Sequence, residues 1–441
     1  MTLRHKKTAT YPDGPDATKV QPSDWNDTHD VATWSTALQL AARAGYTFGA
    51  NRYVPAPANM ASAPTVSSAA NLSGDSTFTR AYLAGAPDAG VWNYLGGDPV
   101  AEAGTSTGMR LFNTHFKAAD TRGIVNWVEM MVDADVVIFK IEAGQANIRF
   151  LVDVDGVPRF VSTELLTPNA GSGGWAYYKL TFASKATRRV TVELSGSTAT
   201  EGQPLIFGGA YVKTQDQVYK PSPVAERAVV IGSSDSQGVN GPPADAWPII
   251  MLAHLGVRDV RVSPTHSTGA MVSDGGVGAY LWSQRRIDWS DCNPHIVIFQ
   301  ASWSDFGYTS GGANGGQSAM VAAILAEVSA ALTALPKAII IASGLMDSVD
   351  AAGSADVLAL NTALSAAVVA LDNPRARFLA PKTAAEAPLT GTGMVGSTTG
   401  SGNRDIYVGA DDHWSRAGDL HIGRYNAHQL LKIVTDIASG A

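Results

Sequence analysis

Two short segments of this chain hold residue types that can do chemistry together. The first, Val229-Val230-Ile231-Gly232-Ser233-Ser234-Asp235-Ser236-Gln237-Gly238, runs an apolar strand into a turn of small residues that carries a serine. A hydroxyl at the carboxyl end of a buried strand, beside exposed backbone N–H groups, is where hydrolytic sites of α/β domains are usually built. Such a hydroxyl needs a base, and the second segment offers one. Asp411-Asp412-His413-Trp414-Ser415-Arg416-Ala417-Gly418 sets two acids and a histidine immediately before a helix whose N-cap is Ser415. Each segment alone has a plainer reading. A serine in a Gly/Ser turn is common punctuation, and a histidine at a helix start is often bonded to a neighbouring carboxylate.

The elements that must bring these segments together are legible in outline. At 441 residues the chain is long enough for two or three domains. Apolar residues make up 45% and charged residues 16%, a balance that supports sizeable cores. From about residue 225 to 441, strands at Ala228 to Ile231, Val257 to Val262, Ile296 to Gln300, Ala338 to Ala342 and Arg377 to Leu379 alternate with helices at Ala246 to Leu255, Gly316 to Ala334, Ala355 to Leu371 and Ser415 to Ser439. That alternation predicts a three-layer α/β/α domain on a parallel sheet. From about 76 to 218, runs such as Val125 to Val132, Val136 to Ile141, Ile148 to Val154, Ala176 to Phe182 and Arg189 to Leu194 alternate with period two and read as an antiparallel β-sandwich. Lys220-Pro221-Ser222-Pro223 is the natural linker between the two. Residues 1 to 35 are polar and turn-rich, a docking arm with no core of its own, and 36 to 75 form a helix and loop connector.

Several function classes are set aside by composition. A net charge of −7 without Lys/Arg clusters argues against nucleic-acid binding. No uninterrupted apolar run of membrane-spanning length occurs, and the basic N-terminus is not followed by an apolar h-region, so neither a membrane span nor a secretory signal is expected. The single cysteine, Cys292, reads as a structural thiol. No zinc-like ligand spacing and no phosphate loop is present, so no metal and no organic cofactor is expected.

Taken together, the two chemical segments resemble the first and last sequence blocks of the SGNH (GDSL) hydrolases, and the resemblance covers residues 225 to 440 through spaced blocks. Gly232, Ser234 and Gly238 match the first block, with Ser233 in place of its acid. The resemblance implies that Ser234 is the nucleophile and that its own N–H is one oxyanion donor. Thr265-His266-Ser267-Thr268-Gly269 stands where the family's glycine block falls, which makes Gly269 a second donor. Ser302-Trp303-Ser304-Asp305 occupies the third block, where Ser304 replaces the family's oxyanion asparagine. In the last block Ala410 holds the strict acid position, so His413 is oriented either by Asp411, favoured over Asp412, or by a backbone carbonyl in a Ser-His dyad. Trp303, Trp414 and His266 lie beside these blocks as candidate substrate-lining residues.

A second resemblance concerns the arm. Residues Ala17 to His29 are similar to the N-terminal attachment segment of phage tail proteins. With the sandwich, whose position before such a domain is similar to certain two-domain carbohydrate esterases, this implies a tail-associated serine esterase. It would be a minor tail protein made in the host cytoplasm and carried on the virion. It would O-deacetylate host-surface glycans, with other tail proteins as partners and a homo-oligomer, a trimer among the forms, as its assembly. The alternative is a structural or receptor-binding tail protein whose hydrolase domain has lost activity.

Overall fold

The computed structural model describes residues 40, 63–69, 77–85, 88–101, 108–112, 125–142, 146–154, 157–162, 165–166, 174–196, 205–222, 226–265, 267–273, 281–306, 316–346, 354–381, 388–396 and 400–439. The docking arm, most of the connector and His266 therefore lie outside the described residues.

The N-terminal half is one antiparallel sheet of twelve strands. Its first strand, Thr65–Ala69, falls inside the segment expected to be a connector and pairs with Trp175–Gly196. The expected pairs of short runs are two long strands instead, Val125–Glu142 and Trp175–Gly196, lying antiparallel to each other. The polar stretches between the expected runs, around Asp133 and Lys185, sit at a register shift between Thr181 and Ala186. A bulge absorbs the extra residues there without ending the strand. Arg188 holds it together by donating to the carbonyls of Ser184 and Ala186, both at 2.9 Å. Val128, Met130 and Val132 of one long strand and Val190, Val192 and Leu194 of the other face a common apolar core, as their period-two spacing requires.

The C-terminal half is a five-stranded parallel sheet. Its strands are β1 (Arg227–Gly232), β2 (Asp259–Pro264), β3 (Ile296–Gln300), β4 (Ile339–Ser343) and β5 (Ala376–Leu379). They lie in the order β2-β1-β3-β4-β5. Four helices cover it: α1 (Trp247–His254), α2 (Gln317–Ala334), α3 (Ser354–Val369) and α4 (Arg416–Ser439). Alternate residues of each strand face opposite layers. Val230, Ile298 and Ile341 pack with Trp247 of α1 and Ile422, Leu430 and Val434 of α4. Val229, Val297 and Ile340 pack with Ile324 and Val328 of α2 and Leu360 and Leu364 of α3. Strands buried on both faces are continuous apolar runs, which is why the sequence marked them so clearly. Helix α2 is long and apolar enough to cross a membrane by length and composition alone, with a mean hydropathy of 1.4 over 18 residues, but it buries one stripe against this sheet.

Chain order runs from β1 outward to β2 and then returns to β3 on the other side, so the crevice beyond the carboxyl ends of β1 and β3 is the topological switch point, where ligands bind in open α/β sheets. The two halves also share a core. Leu95, Val125 and Trp127 of the antiparallel sheet belong to the same apolar cluster as α1, β2 and α4. Around it, Arg261 makes two 2.9 Å bonds to Asp98, the Gly96 N–H donates to Asp259 at 2.9 Å, and Arg258 pairs with Glu129.

Candidate active site

Strand β1 delivers Ser234 to the switch point. Gly232 closes the strand, and a Cβ there would stand 2.2 Å from Ser236 Oγ and 2.8 Å from Gln300 Oε1, so only glycine fits. A single 3₁₀ turn, Ser234–Ser236, follows, closed by Ser236 N–H to the Ser233 carbonyl and Gln237 N–H to the Ser234 carbonyl, both at 3.0 Å. Gly238, at φ +70°, bends the chain away. Gln237 Nε2 ties the turn to the end of β2 by donating to the Pro264 carbonyl at 2.7 Å. Ser236 is turned inward, its hydroxyl donating to the Ser233 carbonyl at 2.8 Å. Ser234 is left 9% exposed.

His413 meets Ser234 from the opposite end of the fold. Its Nε2 is 2.9 Å from Ser234 Oγ. On the other side of the ring, Nδ1 is 2.9 Å from the Asp411 carbonyl oxygen. A carbonyl only accepts, so Nδ1 carries the proton and Nε2 presents its lone pair to the serine hydroxyl. The Asp411 carboxylate stands further off, 3.4 Å from Nδ1, and is 47% exposed. It accepts from Asn240 Nδ2 at 2.8 Å and from the His413 N–H at 3.3 Å. Partial burial raises the pKa of this carboxyl, but the Asn240 bond, the facing imidazole and the backbone N–H groups outweigh that and hold it below the ordinary range. Asp412 makes the turn, at φ +62°, a left-handed conformation that Asp tolerates. The Gly409 N–H to His413 carbonyl bond, 2.7 Å, closes it. Ser415 caps α4, accepting the Gly418 N–H at 3.1 Å.

Asp235, next to Ser234, is buried against this pair. Desolvation pushes its carboxyl up to about 6; His413 and the Ser233 hydroxyl oppose the rise, and Asp412 adds to it. The Trp247 indole N–H donates to the Asp235 carbonyl at 3.0 Å, anchoring α1 beneath the turn.

The glycine block and the third block meet as the sequence order requires. The buried Asp305 carboxylate accepts the N–H groups of Ala270, Met271 and Val272 at 2.7 to 3.0 Å. A Cβ on Gly269 would overlap that carboxylate at 2.2 Å. The Gly269 N–H, expected to face an oxyanion, donates instead to the Val272 carbonyl at 2.8 Å, because the loop turns back on Asp305. Ser304 lies part-buried beside Asp305, its N–H donating to Ser302 Oγ at 3.1 Å. The two candidate lining tryptophans are core residues. Trp303 is 5% exposed with its indole N–H on the Met346 carbonyl, and Trp414 is 2% exposed in the cluster shared with α4, so neither offers a stacking face.

Two residues that sequence reasoning did not single out complete the site. Asn240 binds Asp411, and the buried Arg285 donates to the carbonyls of Gly232 at 2.9 Å and Ser263 at 2.6 Å and to Thr265 Oγ1 at 3.1 Å, joining the ends of β1 and β2. Desolvation lowers the Arg285 guanidinium to about 10, against the pull of Asp288 and Asp305. Nothing in the local sequence around either residue marks it. Among the described residues no group of three His, Cys, Asp or Glu side chains is arranged to hold a metal.

Solved structures share this fold. A family two carbohydrate esterase from Clostridium thermocellum, solved with cellohexaose, superposes with a TM-score of 0.54 at 15% identity over 78% of this chain and 98% of that one. A family two carbohydrate esterase from Cellvibrio japonicus gives 0.54 at 11% identity, over 85% and 98%. The chain shares the fold of these esterases. A salicylyl-acyltransferase, SsfX3, from a tetracycline biosynthetic pathway gives 0.53 at 13% identity, over 80% and 97%. No family model matches the sequence, and no curated protein matches it.

Proposed function

We propose that this protein is a serine esterase of the SGNH type that removes acyl groups, O-acetyl groups foremost, from glycans. The 2.9 Å contact between Ser234 Oγ and the acceptor nitrogen of His413 carries the reading, since the tautomer fixed by the Asp411 carbonyl makes the imidazole a base toward that hydroxyl.

In this reading Ser234 Oγ attacks the acyl carbonyl carbon while its proton passes to His413 Nε2. The charge that forms on the carbonyl oxygen is met by the Ser234 N–H and by Ser304. The C–O bond to the sugar then breaks, and His413 returns its proton to the leaving alcohol. Water, deprotonated by the same nitrogen, attacks the acyl-serine; the acyl–Oγ bond breaks, His413 returns the proton to Ser234 Oγ, and the carboxylic acid is released. Gly269 joins the oxyanion donors only if its bond to Val272 opens.

The finer reading adds a sandwich-like N-terminal module on a phage tail, acting on host-surface glycans with other tail proteins as partners and within a homo-oligomer. It is supported by the sequence of residues 17 to 29 and by the order of the two domains. The acyl-transferring relative of the fold makes the acceptor a second question, water or another alcohol.

Release of p-nitrophenol from p-nitrophenyl acetate by the parent protein and by Ser234→Ala tests the reading. Turnover that vanishes in the variant supports it. Equal, negligible rates together with glycan binding that survives Ser234→Ala would favour a binding protein with a retired site.

A further inference from the structure

The catalytic pair is fastened to the N-terminal sheet through one buried carboxylate. Arg149 lies on the strand Ala146–Val154 of that sheet, with its side chain 8% exposed. Its Nε is 2.5 Å from Glu193 Oε1, and the other oxygen of Glu193 accepts the Trp127 indole N–H at 2.8 Å. Its Nη1 reaches across the domain boundary to Asp245 Oδ1 at 2.7 Å. Asp245 is buried in the 3₁₀ turn Pro243–Asp245, at the end of the segment that starts from Ser234. Its second oxygen is 2.7 Å from Arg416 Nη2, and Arg416 opens α4 three residues after His413. Between these points the segment touches the histidine loop again, through Asn240 to Asp411 at 2.8 Å and through a bridge between Asn240 and Ser415.

We infer that Arg149 is a positioning residue for catalysis: by fixing Asp245 between the two domains it sets the distance between Ser234 and His413. A buried carboxylate held by two guanidinium groups is stiff, and removal of the fully buried partner leaves a charge that the half-exposed Arg416 alone must balance. Asp245 then relaxes toward solvent with Arg416, and the start of α4 moves with it. The loop that leads into this helix carries His413, so the Ser234–His413 contact lengthens.

The inference rests on the esterase reading, and the test separates the two. In Arg149→Met, kcat for p-nitrophenyl acetate and the rate of Ser234 labelling by a fluorophosphonate both fall between about tenfold and a hundredfold, with KM within about twofold of the parent. Arg149→Lys recovers part of the loss. Asp245→Asn gives a similar loss, and the double variant loses no more than the worse single one, because the two act through one contact. The proton signal of His413 Nδ1–H, read by NMR without substrate, shifts or broadens in Arg149→Met. Arg149→Met that folds with parental kcat and an unchanged His413 signal would overturn the inference, as would single losses that multiply in the double variant. Should Arg149→Met fail to fold, Arg149→Lys and Asp245→Asn decide by the same readouts. A parent without turnover or labelling sinks the esterase reading, and the His413 signal still decides the role of Arg149.

Discussion

His413 Nδ1 is 2.9 Å from the backbone carbonyl of Asp411, while the carboxylate of the same residue is 3.4 Å away and half exposed. The carbonyl alone therefore suffices to fix the ring's tautomer. Asp411→Asn keeps that carbonyl and can still accept from Asn240, so kcat should fall by no more than about tenfold. In a triad that depends on its carboxylate, the same change costs about 10⁴. Steady-state rates on p-nitrophenyl acetate distinguish the two.

Ser234→Ala should remove at least about 10³ of the turnover while leaving thermal stability within about 1 kcal/mol, since loss of one hydroxyl oxygen opens only a small gap. Side-by-side assays and melting curves check both halves of that statement.

Asp235 makes stability depend on pH in the opposite sense to most carboxylates. Its folded pKa, raised to about 6, lies above the ordinary carboxylate value of about 3.9, so the folded state binds the proton more tightly than the unfolded one. This contribution is fully present below about pH 4 and is lost as pH rises through about 6. Asp235→Asn, which cannot ionise, should melt a few degrees above the parent at pH 7, the gap closing toward pH 4. A gap that does not change with pH would contradict the assignment.

Gly269→Ala places a methyl group against the Asp305 carboxylate that gathers three backbone N–H groups. The loop has to shift, at a cost of about 1–3 kcal/mol. A lower Tm together with lower turnover is the expected result, and a silent substitution would show that the loop is free of Asp305 in solution.

How much of this was legible in the sequence depended on how local the signal was. The parallel strands and their helices stood out because each strand is an apolar run bounded by turn residues, and the observed ends differ by a few residues. In the antiparallel sheet, Asp133, Asp135 and Lys185 fall between the expected runs, yet they lie at a bulge inside two long strands, and only the pairing across the sheet reveals that. The order of the chemical segments was readable, whereas the partner of His413 Nδ1 was not. It depends on the left-handed backbone of Asp412, which directs the Asp411 carbonyl back at the ring. Trp303 and Trp414 misled for a related reason: proximity in sequence to a catalytic block says nothing about which way an indole turns, and here both turn into the core.

Ser234 and His413 are 179 positions apart in the chain. During synthesis the Ser234 turn leaves the ribosome well before His413 does. Helix α4 must then dock against α1 before the imidazole reaches the serine. A chain in which α4 has not yet docked therefore holds the Ser234 turn with no imidazole beside it.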